Sequence, residues 1–480
     1  MIEKNSVKDI NREELIYSSI RGLLSTLDPH SHFLDPSHFS SMREEQSGKY
    51  YGLGISILKI EDRLTVISPI EGTPAWRLGI RPGDVITHIN GDNTKYISSE
   101  EAVRKLRGPK GSTVRVTIWR EGFEKPLEFS IVREEISLKS VNYYFMINSE
   151  VGYISIRNFA EVTTSEFEAA ADDLKKKGMK ALILDLRGNA GGPLFQAISL
   201  SDEFLPKGKL IVVTKGKKPQ LKQEYYSEKD GQYEDIPLVI LIDRGSASAS
   251  EIVAGAMQEH ERAILVGNRT WGKGLVQTIF QTSPDTALAL TTAKYYTPSG
   301  RSIQRDYDSW EEYFIFYEEE KSEQQKEIKF PSKGRQVYEG GGITPDFKVK
   351  SILLPEIIVF LRAKGAFFSY ANKFVNMELP ISKKYGLNDI TEFKRFLLNA
   401  VFPVGDEVLN DFKNYLRQNK INFDEIKFEK DKELIRFEIN REILSSAGGI
   451  IEGVKFALRK DPQIKKALEV VELSKKLISS

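Results

Sequence analysis

The stretch Pro237-Leu238-Val239-Ile240-Leu241-Ile242-Asp243-Arg244-Gly245-Ser246-Ala247-Ser248-Ala249-Ser250-Glu251-Ile252-Val253-Ala254-Gly255-Ala256-Met257 changes character twice. Its first six residues are wholly apolar, which suits a strand buried on both faces of an α/β domain. A turn of small residues follows, then a helical pattern. Small residues let a reacting group approach the backbone closely, and the first turn of a helix points its N–H groups outward, where they stabilise negative charge. Ser248 therefore sits where a nucleophile with an adjacent oxyanion site is expected. The same four residues Ser248-Ala249-Ser250-Glu251 also spell a capping box, which requires no chemistry, and caps are far commoner than nucleophiles.

A nucleophilic serine needs a base. The chain holds five histidines. His260 lies twelve residues beyond Ser248 on the same predicted helix, about 18 Å away at the helical rise, and His88 falls in a separate β-rich region. Lysine is the other option. Thr270-Trp271-Gly272-Lys273-Gly274-Leu275-Val276-Gln277-Thr278-Ile279-Phe280 places Lys273 between two glycines ahead of a β-rich run. Lys273 and Gln277 are four apart and share a face, so the Gln277 amide can orient the amine. Apolar neighbours can depress the lysine pKa, as a general base requires; taken alone, an isolated lysine is more often simply exposed. A third element, Asp185-Leu186-Arg187-Gly188-Asn189-Ala190-Gly191-Gly192, follows the apolar run Ala181–Leu186. Such a glycine turn can offer N–H groups to an oxyanion or a phosphate; without a Gly-Lys-Ser/Thr ending it argues against nucleotide.

Working outward, residues 48–134 alternate short β-rich runs with turns such as Arg81-Pro82-Gly83-Asp84 and Asn90-Gly91-Asp92. One helix is predicted there over Ser98–Leu106, capped by Ser98 with Glu101 and apolar at Ala102, Val103 and Leu106. Residues 1–46 read as helical through Leu15, Ile16, Ile20, Leu23 and Leu24, and are followed by loop chemistry at Asp28–Pro36. His30, His32 and His38 match no metal-ligand spacing and read as loop and capping histidines. Two polar stretches, Lys217–Glu234 and Arg305–Glu339, look like excursions, the second a surface hairpin or a mobile segment. Residues 351–480 are helical by pattern, with one face at Val408, Leu409, Phe412, Tyr415 and Leu416 and another at Ala467, Leu468, Val471 and Leu473.

Composition bounds the rest. The chain has 480 residues, a formal net charge of +1 and no cysteine. It thus has room for two to four domains, no bulk electrostatic case for nucleic acid, and no disulfides, thiolate metal sites or Cys nucleophiles. No apolar run is long enough for a transmembrane helix, and the N-terminus lacks a signal-peptide core; the expectation is a cytosolic chain or one that begins after a removed export segment.

The segments Asp185–Gly192, Gly245–Glu251 and Gly272–Gln277 together resemble the C-terminal processing peptidases, or tail-specific proteases. Flanking matches are Leu27–Ser31, Gly52–Ile55, Tyr296–Gln304 and Gly342–Asp346, so the resemblance runs over about residues 20–350 in the family's order. It implies an α/β fold: a crotonase/ClpP-like protease core with an inserted PDZ domain and additional helical N- and C-terminal regions, divided as 1–47, 48–134, 135–350 and 351–480. It also implies Ser248 as nucleophile, Lys273 as base, Gln277 as its positioning partner, and the N–H groups of Gly192 and Ala249 as oxyanion donors, with no metal and no cofactor. Ala190 stands where many members carry Pro or Gly. In the PDZ region the Gly52-Leu53-Gly54-Ile55 loop would receive a terminal carboxylate, and Leu53, Ile55, Val103 and Leu106 would line an apolar pocket for strand addition, or else form the small domain's core. Arg107 is a candidate for coupling peptide capture to catalysis. The implied partners are polypeptides with apolar C-termini, a second copy of the chain in a dimer or larger homo-oligomer, and a regulatory or adaptor protein of unknown identity. The implied location is the cell envelope or the periplasm, outside the cytoplasm. A peptide-binding module without catalysis and an acyl-CoA enzyme of crotonase type are the rival classes; the intact Ser248, Lys273 and Gln277 argue against the first, and the PDZ segment against the second.

Overall fold

The apolar runs Ala181–Leu186 and Pro237–Ile242 find their place in a largely parallel sheet. In the computed structural model, which describes all but residues 1, 8, 61, 306–327, 330–334, 386–388, 400–403 and 479–480, six strands follow in the order Val141–Met146, Val151–Ile156, Ala181–Asp185, Leu238–Ile242, Ile264–Gly267 and Phe347–Lys348. The first pair is antiparallel and the rest are parallel. Ala181–Asp185 and Leu238–Ile242 are buried at every position, as strands covered on both faces must be. Helices Thr163–Lys176, Leu194–Asp202 and Ala249–Glu259 supply the cover. Phe167 packs against Phe204 at 5.3 Å and edge-on to Tyr233 at 5.5 Å.

A second, antiparallel sheet is built on the long strand Ala287–Tyr296. Leu275–Gln281 pairs along one edge. On the other edge His32–Leu34 pairs with Ala287–Ala289 and Leu210–Gly216 with Ala293–Tyr296, which leaves Leu290, Thr291 and Thr292 between the two partners. Lys222–Tyr226 pairs with Leu210–Gly216 as an edge strand. The stretch Lys217–Glu234, expected as an excursion, thus carries part of the sheet; its exposed charges mask the alternation of a solvated edge. The stretch 305–339 lies for the most part outside the described residues.

These two sheets belong to one unit made of Met1–Gly48, Leu138–Ser351 and Pro462–Ser480. The N-terminal part is helical over Arg12–Leu24 and Pro36–Ser47. Of its five apolar positions only Leu24 is buried; Phe33, Leu34 and Phe39 are the residues that seat this segment. The last helix, Pro462–Ile478, also lies here, with Ala467, Val470 and Val471 buried. Gln463 at its start donates to Val349 O at 2.8 Å and accepts from Arg187 at 2.8 Å. The residues after 351 are thus divided between two units.

The second unit is Lys49–Ser137 with Ile352–Asp461. Its sheet runs Ile55–Ile60, Arg63–Pro69, Val85–Ile89, Thr113–Trp119, Leu127–Val132, with Asp92–Asn93 beside Val85–Ile89. Thr113–Trp119 alternates exposed and buried positions, the signature of a sheet with one wet face. The helix Ser99–Leu106 is capped by Ser98, whose Oγ accepts from Glu101 N–H at 3.1 Å. In the helical part, Val408, Leu409, Phe412, Tyr415 and Leu416 are all buried on Asp406–Gln418, and Phe412 stacks on Phe367 at 5.3 Å. Among the described residues no helix is long and apolar enough to cross a membrane.

Candidate active site

Parallel register sets two turns side by side. Asp185 lies opposite Leu241, so the chain leaves both strands at one level, at the carboxyl ends where open α/β sheets place their ligands. Asp243 accepts from Gly188 N–H at 2.8 Å and Gly245 N–H at 2.9 Å. Ser246 Oγ donates to Leu186 O at 2.8 Å, and Ala247 N–H donates to Asn189 O at 2.9 Å. Asn189 accepts from Gly191 N–H at 2.9 Å and donates to Ile156 O at 2.8 Å. A Cβ on Gly191 would lie 2.8 Å from Ser248 Cβ and 2.9 Å from Ala249 N, and one on Gly192 would lie 2.0 Å from Phe159 O. Only glycine lets this turn lie against Ser248. The N–H groups of Gly192 and Ala249 donate to no acceptor among the described residues.

Ser248 caps the helix Ala249–Glu259 with φ 54° and ψ −114°. A residue with a side chain is held there at a cost of about 1–3 kcal/mol, a strain that persists only where the surroundings over-determine it. The surroundings are Glu251 and Tyr295. Buried Glu251 accepts through Oε2 from the N–H groups of Ser248 at 2.8 Å and Lys273 at 2.9 Å. Through Oε1 it accepts from the Thr270 hydroxyl at 2.5 Å and Gly272 N–H at 2.7 Å. The Tyr295 hydroxyl donates its one proton to Lys273 O, the nearer carbonyl, and its oxygen lies 3.1 Å from Ser248 O. One carboxylate thus holds both N–H groups, and one phenol lies against both carbonyls.

Burial raises the Glu251 carboxyl above its usual range, against the hydrogen bonds that favour its charged form. Burial lowers the Lys273 amine, against the attraction of Glu251 and Asp28. Gln277 stands opposite Thr291 and donates Nε2 to its Oγ1 at 3.4 Å. His260 ends the helix Ala249–Glu259, at the opposite end from Ser248, with Nε2 at 2.6 Å from Leu210 O.

The segment Asp28–Ser31 also enters this site, and sequence reasoning assigned it no role. Asp28 accepts from Thr291 Oγ1 at 2.9 Å, from Ser31 Oγ at 2.5 Å, and from the N–H groups of His30 at 2.8 Å and Ser31 at 2.9 Å. Burial alone would raise Asp28; these bonds bring it below the usual carboxylate range. His30 is pushed down to about 4, first by burial and then by the positive charge of Lys273, so it is neutral near pH 7. The match at Leu27–Ser31 is the signal that could have found this turn. Tyr295 and Thr291 gave none, and Glu251 was visible only as a cap. His32 Nδ1 lies 2.7 Å from His30 O, and His38 pairs with Asp35 at 2.8 Å. Among the described residues no three His, Asp or Glu side chains are placed to hold a metal ion.

In the second unit Leu53 and Leu106 lie in the core of the small sheet, with Ile55 packed against it from a half-buried position; Val103 is half-buried on the helix. Gly54 has φ +74°, and a Cβ there would lie 2.3 Å from Thr73 Cβ. The Thr73 hydroxyl lies 3.2 Å from Gly54 O and 2.6 Å from Ile70 O. Arg107 ends the helix with its guanidinium 4.3 Å from the centre of the Tyr50 ring.

Residues 150–308 match the model of peptidase family S41, and residues 65–120 match that of the PDZ domain. The chain is 43% identical to the carboxy-terminal-processing protease of Bartonella bacilliformis over 296 residues, 61% of this chain and 68% of that protein. It is 36% identical to the carboxyl-terminal-processing protease of Synechocystis sp. over 301 residues, 62% of this chain and 70% of that protein. A solved photosystem II D1 C-terminal processing protease is 26% identical, with a TM-score of 0.39 over 74% of this chain and 86% of that one.

Proposed function

Since this chain belongs to the carboxy-terminal-processing proteases, serine hydrolases of peptide bonds that carry a PDZ domain, we propose that it cuts polypeptides near a free apolar C-terminus with Ser248 as nucleophile and Lys273 as general base. The PDZ loop Gly52–Ile55 receives the terminal carboxylate, and the substrate adds a strand beside Ile55–Ile60 over Leu53, Ile55, Val103 and Leu106. A segment upstream of that end enters the cleft. Neutral Lys273 takes the Ser248 proton as the oxygen attacks the scissile carbonyl. The N–H groups of Gly192 and Ala249 stabilise the oxyanion, each by about 3–4 kcal/mol. The protonated lysine then gives its proton to the departing amine, and water resolves the acyl-enzyme. The protease core is read as crotonase/ClpP-like, with Arg107 linking peptide capture to turnover, in an oligomer working in the cell envelope.

The observation that carries this reading is the double clamp on Ser248 and Lys273. Two residues 25 positions apart have their N–H groups on one buried carboxylate and their carbonyls against one phenol, which ties together the backbones of the proposed nucleophile and base.

The test is cleavage of an unstructured polypeptide ending in apolar residues by the wild type, Ser248→Ala and Lys273→Ala. Activity in the wild type and a fall of at least about 10⁴-fold in both variants supports the dyad. Equal activity in all three sinks it. The wild-type rate rises with pH as Lys273 loses its proton, and because burial lowers that pKa the rise comes below the range of a free lysine. A flat profile there removes Lys273 as base.

A further inference from the structure

We infer that the Asp28–Thr291 pair fixes which end of the Gln277 amide is left to face Lys273, making the N-terminal turn Asp28–Ser31 a positioning part of the catalytic centre. This rests on Lys273 and Gln277 having the roles proposed above.

A hydroxyl has one proton to donate. The carboxylate of Asp28, surrounded by four donors, has none, so the 2.9 Å bond from Thr291 Oγ1 uses the threonine's proton. Toward Gln277 the same oxygen can then only accept. The amide must present Nε2, and does so at 3.4 Å. Its Oε1 is left as an acceptor for a Lys273 N–H. With the amide turned over, two acceptors would meet at Thr291 and an NH₂ group would point at the amine. A lysine acting as base must aim its lone pair at the serine, so its own N–H groups need acceptors elsewhere.

Thr291 itself is held from the same turn. It lies on the edge of Ala287–Tyr296 between the two strands that pair there, and its N–H donates to Ser31 Oγ at 3.0 Å. Backbone and side chain of Thr291 are therefore both fixed by residues 260 or more positions earlier. The charged or titratable groups facing Lys273 are Glu251 from the nucleophile helix and Asp28 and His30 from this turn. Removing the Asp28 charge would change both the orientation of Gln277 and the field at Lys273, whereas Thr291→Val removes the hydroxyl and alters no charge.

The experiment is steady-state kinetics on an unstructured polypeptide with an apolar C-terminus, using Thr291→Val, Thr291→Ser, Gln277→Ala and the Thr291→Val/Gln277→Ala double variant. Thr291→Val is expected to lower kcat about tenfold with KM within about twofold, and Thr291→Ser to restore most of the rate. In the Gln277→Ala background Thr291→Val should change kcat by less than about twofold, because its effect passes through that amide. Asp28→Asn should lower kcat and also move the rising limb of the pH profile to lower pH, since it removes a negative charge that favours protonated Lys273. Should Thr291→Val fold poorly, Thr291→Ala, which also removes the hydroxyl and alters no charge, supplies the same comparison in the two backgrounds. Equal losses from Thr291→Val in both backgrounds, or a Thr291→Ser variant as slow as Thr291→Val, overturn the inference. Full activity in Gln277→Ala overturns it too and leaves the dyad standing, whereas activity in Ser248→Ala or Lys273→Ala breaks the dyad itself.

Discussion

Two glycine turns in this protein are proposed to present backbone N–H groups to negative oxygen, and they differ in what stands behind them. The turn Gly191–Gly192 backs onto main chain: its missing side chains would strike Ala247 O, Ala249 N and Phe159 O. Its neighbour Ser248 is tied by a buried carboxylate that also holds the lysine loop. Gly54 of the PDZ loop backs onto one side chain, Thr73. A developing charge lasts only through a transition state, and its donors must be in place beforehand. A peptide carboxylate is a stable partner, and a loop that yields slightly can still bind it. On the proposed roles, catalysis has the immovable wall and capture the adjustable one.

The largest effect expected from this contrast is at Gly192. In Gly192→Ala the new Cβ meets a carbonyl that cannot turn aside, so kcat should fall about 10²–10³-fold, the loss seen when one oxyanion donor is removed. Peptide binding to the PDZ domain, measured by anisotropy, should be unchanged. A normal kcat would mean that the turn gives way and that the contrast is false. Glu251→Gln comes next. The amide keeps one acceptor oxygen, so either the Thr270 and Gly272 donors or the Ser248 and Lys273 donors face an NH₂ group. Each buried bond lost costs about 1–3 kcal/mol, so kcat should fall about 10²-fold with a lowered Tm. The remaining activity should rise at lower pH, because a negative charge favouring protonated Lys273 is gone. A variant with an unshifted profile would show that Glu251 acts on shape alone.

How much of this was legible depends on range. The apolar runs Ala181–Leu186 and Pro237–Ile242 announce strands buried on both faces, and the small residues after each announce turns at their ends. The Ser98 cap reads correctly because its partner Glu101 is three residues away. At Ser248 the capping box looked like an alternative to chemistry, yet the carboxylate that caps Ser248 also binds Gly272 and Lys273; the cap and the clamp on the lysine loop are one device. No local pattern discloses that, nor that Asp28 reaches Thr291 across the sheet. The N-terminal helix forms as its spacing predicts, yet Leu15, Ile16 and Leu23 stay exposed, because spacing alone does not say that a face has something to cover it.

The smallest effect, and the sharpest, is at Gly54. An alanine there has its Cβ 2.3 Å from Thr73 Cβ and must hold φ +74°, a conformation that costs an L-residue about 1–2 kcal/mol. Gly54→Ala should therefore weaken binding of a peptide with an apolar C-terminus about tenfold, raising KM while kcat at saturation is kept. The two parts of that loss are separable. Thr73→Gly removes the obstructing Cβ but leaves the backbone angle, and glycine serves tolerably as a helix cap. Measured in the full chain inactivated by Ser248→Ala, Gly54→Ala with Thr73→Gly should bind more tightly than the two single losses predict when added, recovering the part due to the clash and keeping the part due to φ. At Gly192 no such rescue exists, because the obstruction is the Phe159 carbonyl and no substitution trims a backbone. Strict additivity at Gly54 and Thr73 would show that the PDZ loop is walled as firmly as the catalytic turn, and the distinction between the two would then lie in the charge each receives.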